Sequence, residues 1–260
     1  MMELRTEAAA RFTLQWRGFA IALADSDEER QLAWRIRHDV FLDELQGRPR
    51  ADRQERDAFD DHYDQVVVTV AESGEPVGTC RLTNATSVEL LYSAAKFAVA
   101  PFLAQPGTKV ELGRVCLCPR WRNNLALAAI GRAIGHYARA CGAQWIFGCT
   151  SISTVDLTVA VGLTAHFSRL GAYAGGFGVL PVAAHRITNL APMVAALDPA
   201  RCDQPAMEAL VPPLLRFYLK TGAGLGPEPA LDREFGSLGF FTVMPLREQT
   251  NGTLGRYVNC

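Results

Sequence analysis

Lys109-Val-Glu-Leu-Gly-Arg-Val-Cys-Leu-Cys118, closed by Pro119, is the most strand-like stretch of the chain. Proline ends it because a residue without an N–H cannot continue a sheet ladder. Inside the apolar run sit two charges, Glu111 and Arg114, with Gly113 between them. A glycine inside a strand predicts a bulge or the close approach of another group. A bulge also lets two residues three positions apart serve one site. Downstream, Leu127, Ile130, Ile134, Tyr137 and Cys141 repeat at three and four residues, which predicts a helix started by Asn124 and ended at Gly142. Gln144–Ser151 then reads as strand and 154–170 as a helix closed by Gly171.

Upstream the apolar period is two. Phe12, Leu14 and Trp16 alternate, as do Phe19, Ile21 and Leu23, with Gly18 turning the chain between them. Ser26 precedes Glu29 at the capping-box spacing, and Leu32, Ile36 and Val40 follow at steps of four, with Arg37 and Phe41 on a neighbouring face. Residues 43–64 form a long polar loop, a length that often carries function. Val66–Val70 and Val77–Leu82 form a hairpin around Ser73-Gly74. Beyond residue 171, the stretch 172–206 shows no decisive period. Pro212 and Pro213 suit the first turn of a helix running to Lys220 and ended by Gly222, and Leu238–Met244 is a last strand.

This order predicts an α/β fold of the mixed α+β kind: a mixed sheet with helices on both faces and a C-terminal helix-strand extension. We expect one domain over residues 1–260, with its core at about 10–170 and the extension at about 171–260.

Composition narrows the function classes. Of the 260 residues, 49% are hydrophobic and 20% charged, the profile of a folded globular protein. Lys plus Arg is 26 against 27 Asp plus Glu, a net charge of −1, which argues against a nucleic-acid partner. No apolar run approaches the ~18 residues of a membrane-spanning helix, and Met1–Arg11, with Glu3 and Glu7, lacks the apolar run of a secretory leader. A cytoplasmic protein is expected, and its seven cysteines then read as reduced. Cys116 and Cys118 have no second pair or histidine cluster beside them, so they suit strand packing, and no metal is expected.

Three charged clusters interrupt the apolar pattern. The first is Glu55-Arg-Asp-Ala-Phe-Asp-Asp-His-Tyr-Asp64, either a solvated acidic loop or a site for a cationic amine or a distant arginine. The second is Arg81, which shares a strand face with Val77 and Thr79 and, unless it lies at an edge, needs a carboxylate or an anion. The third is Glu111 with Arg114. A partly buried glutamate beside a cleft suits a general base.

In this order the clusters resemble the GNAT superfamily of acyltransferases. Within it they are similar to the branch that holds ornithine N-acyltransferases of ornithine-lipid synthesis and acyl-homoserine-lactone synthases. The resemblance rests on Arg37-x-x-x-Phe41, Glu55-Arg-Asp-Ala-Phe-Asp60, Arg81 and Glu111-Leu-Gly-Arg114. The ornithine side is favoured by Phe147-Gly-Cys-Thr-Ser151, Val211–Lys220, Thr221-Gly-Ala-Gly224 and Asp232-Arg-Glu-Phe-Gly236. GNAT enzymes that use acetyl-CoA carry a glycine-rich loop whose backbone N–H groups bind pyrophosphate at a helix start. Here the equivalent stretch, Arg120-Trp-Arg-Asn-Asn-Leu-Ala-Leu127, has no glycine. That departure argues against CoA and for acyl carrier protein as donor.

The resemblance therefore implies an enzyme that moves a long (3-hydroxy)acyl chain from acyl carrier protein to the α-amine of an amino acid, with ornithine first. Other amino acids (lysine, glycine, an aromatic one), lactone-type signal synthesis, and a carrier-binding module without catalysis are the alternatives. It implies no bound cofactor; the carrier's phosphopantetheine thioester is a co-substrate. Glu111 is the candidate base, and backbone N–H groups near the bulge would stabilise the oxyanion. Arg114 either pairs with Glu111 or binds the acceptor carboxylate. Asp57 and Asp60 either hold the ammonium group or fix Arg37 and Arg81. Arg120, Arg122 and Phe147 are candidates for the acyl-donor side, with the acyl chain between the 109–118 and 144–151 strands. Leu210–Lys220 is a candidate for peripheral membrane contact, set against packing on the domain.

Overall fold

The computed structural model describes residues 11–174, 177–197 and 204–246. Most of the N-terminal stretch read for a leader, and the end of the expected extension, lie outside these residues. The described chain forms two compact units, one of residues up to Ala85 with Val110–Gln144, the other of Thr86–Lys109 with Trp145–Leu246. The α/β class predicted from sequence is the class observed.

The first unit is built on five strands in simple order: β1 (Thr13–Trp16), β2 (Phe19–Leu23), β3 (Asp64–Val70), β4 (Pro76–Asn84) and β5 (Thr108–Leu117), each antiparallel to the next. The β1–β2 turn places Arg17 and Gly18 at φ +47° and +84°, the left-handed pair of a two-residue hairpin. Between β2 and β3 runs α1 (Asp27–Arg37), started by the capping box the sequence predicts: the Glu29 N–H donates to Ser26 Oγ while the Glu29 carboxylate receives the Ser26 N–H. The helix then widens into a π-helical segment, His38–Glu44, marked by the Leu45 N–H reaching back to Val40 O.

Residue parity divides the sheet into two faces. Ile21, Val66, Val68, Cys80 and Leu82 are aligned on one, all at most marginally exposed. Helix α2 (Asn124–Ala140) covers that face, its Tyr137 hydroxyl donating to Asp64. Gln65, Thr79, Arg81 and Glu111 belong to the other, where α1 packs and Ile36 and Val40 meet Cys116. A helix therefore flanks each face, as expected. The cap of α2 is Asn123 rather than Asn124: its side chain accepts the Ala126 N–H, one residue earlier than the apolar period suggests.

In the second unit, β6 (Ala143–Ile152) runs antiparallel to a long C-terminal strand. Between them in the chain come α3 (Leu157–Arg169), α4 (Leu190–Ala195), α5 (Gln204–Leu210), α6 (Pro213–Lys220) and the short strands β7 (Gly224–Leu225) and β8 (Ala230–Asp232). The last strand is β9 (Ser237–Pro245), which pairs β6, β7 and β8. Phe167, Leu215, Leu238 and Phe240 form its core with Leu163. Val211, Leu215 and Tyr218 are buried, so most of the apolar side of Leu210–Lys220 is spent on packing. Lys96 and Asp232 form a buried ion pair tying the 86–109 segment to β8. No helix among the described residues is long and apolar enough to cross a membrane.

Candidate active site

The charged side chains of the first unit converge on the α1 face of the sheet. The convergence begins with local backbone. Asp57 caps a short 3-10 helix, Ala58–His62: its carboxylate accepts the Phe59 N–H at 3.0 Å, and Asp60 reaches back to the Asp57 N–H at 2.9 Å. This is a capping box made of two aspartates. It orients both carboxylates before any distant residue arrives.

Three arginines from three elements then meet three carboxylates from one loop. Arg37, at the end of α1, donates to Glu55 at 2.5 Å and to both Asp60 oxygens at 2.6 and 2.9 Å. Arg81, on β4, donates to Asp60 at 2.9 Å and to both Asp57 oxygens at 2.6 and 3.1 Å. Arg114, on β5, donates to Asp57 at 2.9 Å and to Glu55 at 3.1 Å. Followed from partner to partner, Arg37, Asp60, Arg81, Asp57, Arg114 and Glu55 close a ring in which charges alternate and formally cancel. Gln65 bridges Arg37 and Asp60 from β3.

Burial makes this pairing obligatory. The Arg37 and Arg81 side chains are fully buried, and an unpaired guanidinium there would keep its whole desolvation cost. Burial opposes ionisation of Asp60, but hydrogen bonds and charge from Arg37, with Arg81 behind, hold its carboxyl down to about 2. The Phe59 and Tyr63 rings lie 6.0 and 4.8 Å from the Arg81 guanidinium, supplying aromatic faces for the cation.

The expected bulge in β5 is present. Thr79 pairs with Cys116 and Arg81 with Gly113, so three steps on β5 oppose two on β4. The left-handed residue is Arg114, at φ +53°, rather than Gly113. A side chain in that region costs about 1 kcal/mol or more, and the two carboxylates that grip Arg114 stabilise it there.

Glu111 lies opposite Thr83, on the same sheet face as Arg81, and is 1% exposed. The Tyr63 hydroxyl donates to its carboxylate. Of the two roles the sequence leaves open for Asp57 and Asp60, the geometry displays contact with arginines: Asp60 accepts from Arg37 and Arg81, and Asp57 from Arg81. Arg114 likewise grips Glu55 and Asp57. Sequence reasoning assigned no role to Glu55, Tyr63 or Gln65. The first two lie inside the acidic cluster already quoted. Gln65 carries its own signal, an amide at an inward position beside the run Val66–Val68.

The donor-side candidates are placed differently. Arg122 is exposed and makes a two-pronged pair with Glu44 at 2.7 and 2.5 Å, and Arg120 pairs with Glu75 at 2.8 Å. Surface pairs of this kind contribute about 0–1 kcal/mol, so either arginine can exchange its partner. The start of α2 beside them is occupied by the Asn123 carboxamide, with no glycine to admit a phosphate closely. Phe147, in the second unit, sits in an aromatic cluster with Phe102 and Phe241, at ring distances of 5.2 and 5.9 Å.

Two buried thiols, those of Cys80 and Cys116, lie on β4 and β5. Burial pushes the Cys80 and Cys116 thiols far above their ordinary range, so neither supplies a thiolate near neutral pH. His136 packs on Phe12, and burial lowers its pKa. Among the described residues no group of His, Cys, Asp and Glu is arranged to hold a metal.

Residues 36–132, the segment holding the whole ring, match the family model described as acetyltransferase (GNAT) domain. The chain is also similar to proteins named L-ornithine N(alpha)-acyltransferase. That of Rhizobium meliloti (strain 1021) is 29% identical over 254 residues, covering 91% of this chain and 82% of the relative. That of Brucella abortus (strain 2308) is 27% identical over 255 residues, covering 91% and 88%. That of Rhodobacter capsulatus is 27% identical over 240 residues, covering 87% and 89%. Among solved structures, a CoA-dependent acyl-homoserine lactone synthase with SAM and isopentyl-CoA gives a TM-score of 0.45 at 15% identity, covering 90% of this chain and 83% of that one.

Proposed function

Residues 36–132 carry a GNAT acetyltransferase domain and the protein is an acyltransferase; from that premise we propose that it transfers a long, 3-hydroxylated acyl chain from acyl carrier protein to the α-amine of L-ornithine, giving a lyso-ornithine lipid. The observation that carries this reading is the similarity, over about nine-tenths of the chain, to proteins named for acyl transfer to the ornithine α-amine. The carrier-protein donor is supported separately, by the glycine-free, side-chain-capped start of α2 and the exchangeable pairs of Arg120 and Arg122.

The reaction needs an amine free of its proton. The nitrogen lone pair attacks the thioester carbonyl, a C–N bond forms, the C–S bond breaks, and the carrier's thiol leaves. Glu111 takes the proton through an intervening water, since its carboxylate is almost wholly buried. The left-handed turn at Arg114 re-aims backbone N–H groups of β5, which stabilise the oxyanion. The ion-pair ring holds the bulge in place. No acyl-enzyme forms. The product is amphiphilic, and release beside a membrane surface suits it.

The test is a mass-spectrometric turnover assay with 3-hydroxyacyl-loaded carrier protein, the matching acyl-CoA, and a panel of ornithine, lysine, glycine and aromatic amino acids. Product from the carrier thioester with ornithine is expected. Product mainly from CoA overturns the donor assignment. A preference for another amine overturns the acceptor, and carrier binding without any product overturns catalysis.

A further inference from the structure

The structure assigns Tyr63 as a positioning residue for Glu111: its hydroxyl fixes the carboxylate and keeps it ionised, and the ion-pair ring holds the tyrosine in place through Arg81. The inference deepens the proposed function and rests on Glu111 acting as base.

Three observations support it. The Tyr63 hydroxyl donates to Glu111, and both residues are buried, 6% and 1% exposed. A hydrogen bond to the charged form of a buried carboxyl favours ionisation, which burial alone would oppose. The Tyr63 ring lies 4.8 Å from the Arg81 guanidinium, and Arg81 is locked by Asp57 and Asp60. Tyr63 also follows directly on the 3-10 helix whose capping box is built from those same aspartates. One side chain therefore joins the ring to the base.

The titratable groups around Glu111 in this unit define what a pH measurement would read. They include Tyr63, which donates to it, Arg81 on the same sheet face of β4, and Arg114 three residues along β5. Glu55, Asp57 and Asp60 neutralise the two arginines, and His62 is tied by its carbonyl to Thr83, the residue opposite Glu111. Asp64 and Tyr137 pair on the opposite face of the sheet. Removing the Tyr63 hydroxyl takes a donor from Glu111 and leaves every charge in place.

Tyr63→Phe keeps the ring beneath Arg81 and deletes only the donor. In the full-length protein, the Glu111 side-chain carboxyl is followed by carbon-13 NMR titration, with Glu111→Gln assigning its signal. The pKa is expected to rise by about one unit in Tyr63→Phe. The acid limb of kcat/KM should move up in pH by the same amount, so that rates below the limb fall about tenfold and recover above it. Thermal melting checks that the variant folds. An unchanged Glu111 pKa overturns the inference, as does a uniform loss of rate without movement of the limb. A shifted pKa with an unmoved limb in an active enzyme removes Glu111 as base and Tyr63's role with it. A wild-type protein inactive on every donor and amine removes the proposed function itself, a result separable from the titration.

Discussion

At the scale of single residues, the ring makes each member's charge depend on its neighbours. Asp60 is the clearest case because it bridges the two fully buried arginines. Its carboxyl titrates at about 2 in the folded chain, below the ordinary 3.8. A lowered pKa contributes stability that is present above the unfolded value and is lost as pH falls through the folded one. Asp60→Asn should therefore destabilise the protein at pH 7 by about 3–5 kcal/mol, the usual cost of breaking one partner of a buried pair. The gap to wild type should narrow from about pH 3.8 down to about 2. Urea titrations at several pH values measure it, and a pH-independent difference would mean that the carboxylate is not the source. Arg37 was legible as a motif residue, but its full burial was not, because α1 reads as an ordinary amphipathic helix until its last residue is seen to end beneath a loop.

At the scale of elements, the bulge on β5 is the device that brings distant chain positions together. It was readable from Gly113 as one of two alternatives, since a glycine between Glu111 and Arg114 in so strong a strand marks either a bulge or the close approach of another group. Which residue would take the left-handed conformation was not readable, because that depends on Glu55 and Asp57 arriving from a loop more than fifty residues earlier. Arg114→Ala and Arg114→Gly lose the same ion pairs and differ only in backbone freedom. The glycine variant should be more stable than the alanine variant by about 1 kcal/mol at φ +53°. Equal denaturation midpoints would show that the bulge relaxes once the pairs are gone. Elements with strong periods, such as α1, β3, β4 and β9, could be read directly. The segments at 86–107 and 172–206 could not, since their described residues form 3-10 turns and helices of a few residues, too short to show a period.

At the scale of the molecule, a net charge of −1 conceals the separation of charge into a buried, internally neutral ring and exposed, exchangeable pairs. In the proposed function the ring supports the base Glu111 from beside it, and the exposed pairs are the proposed surface for the carrier protein. Reversing Arg120 and Arg122 to glutamate should raise the KM for a carrier-protein thioester about tenfold, more at low salt than at high. It should leave the KM for a soluble thioester of the same chain nearly unchanged. Equal effects on both donors would take these arginines out of carrier recognition. The central claim, amide formation driven by a buried glutamate, is tested most directly by one comparison. Wild-type protein and Glu111→Gln are each given 3-hydroxyacyl carrier protein and ornithine, and Nα-acylornithine is counted by mass spectrometry. The account predicts product from the wild type and about 10²–10⁴-fold less from the variant, at an unchanged melting temperature. Equal product from both would contradict it.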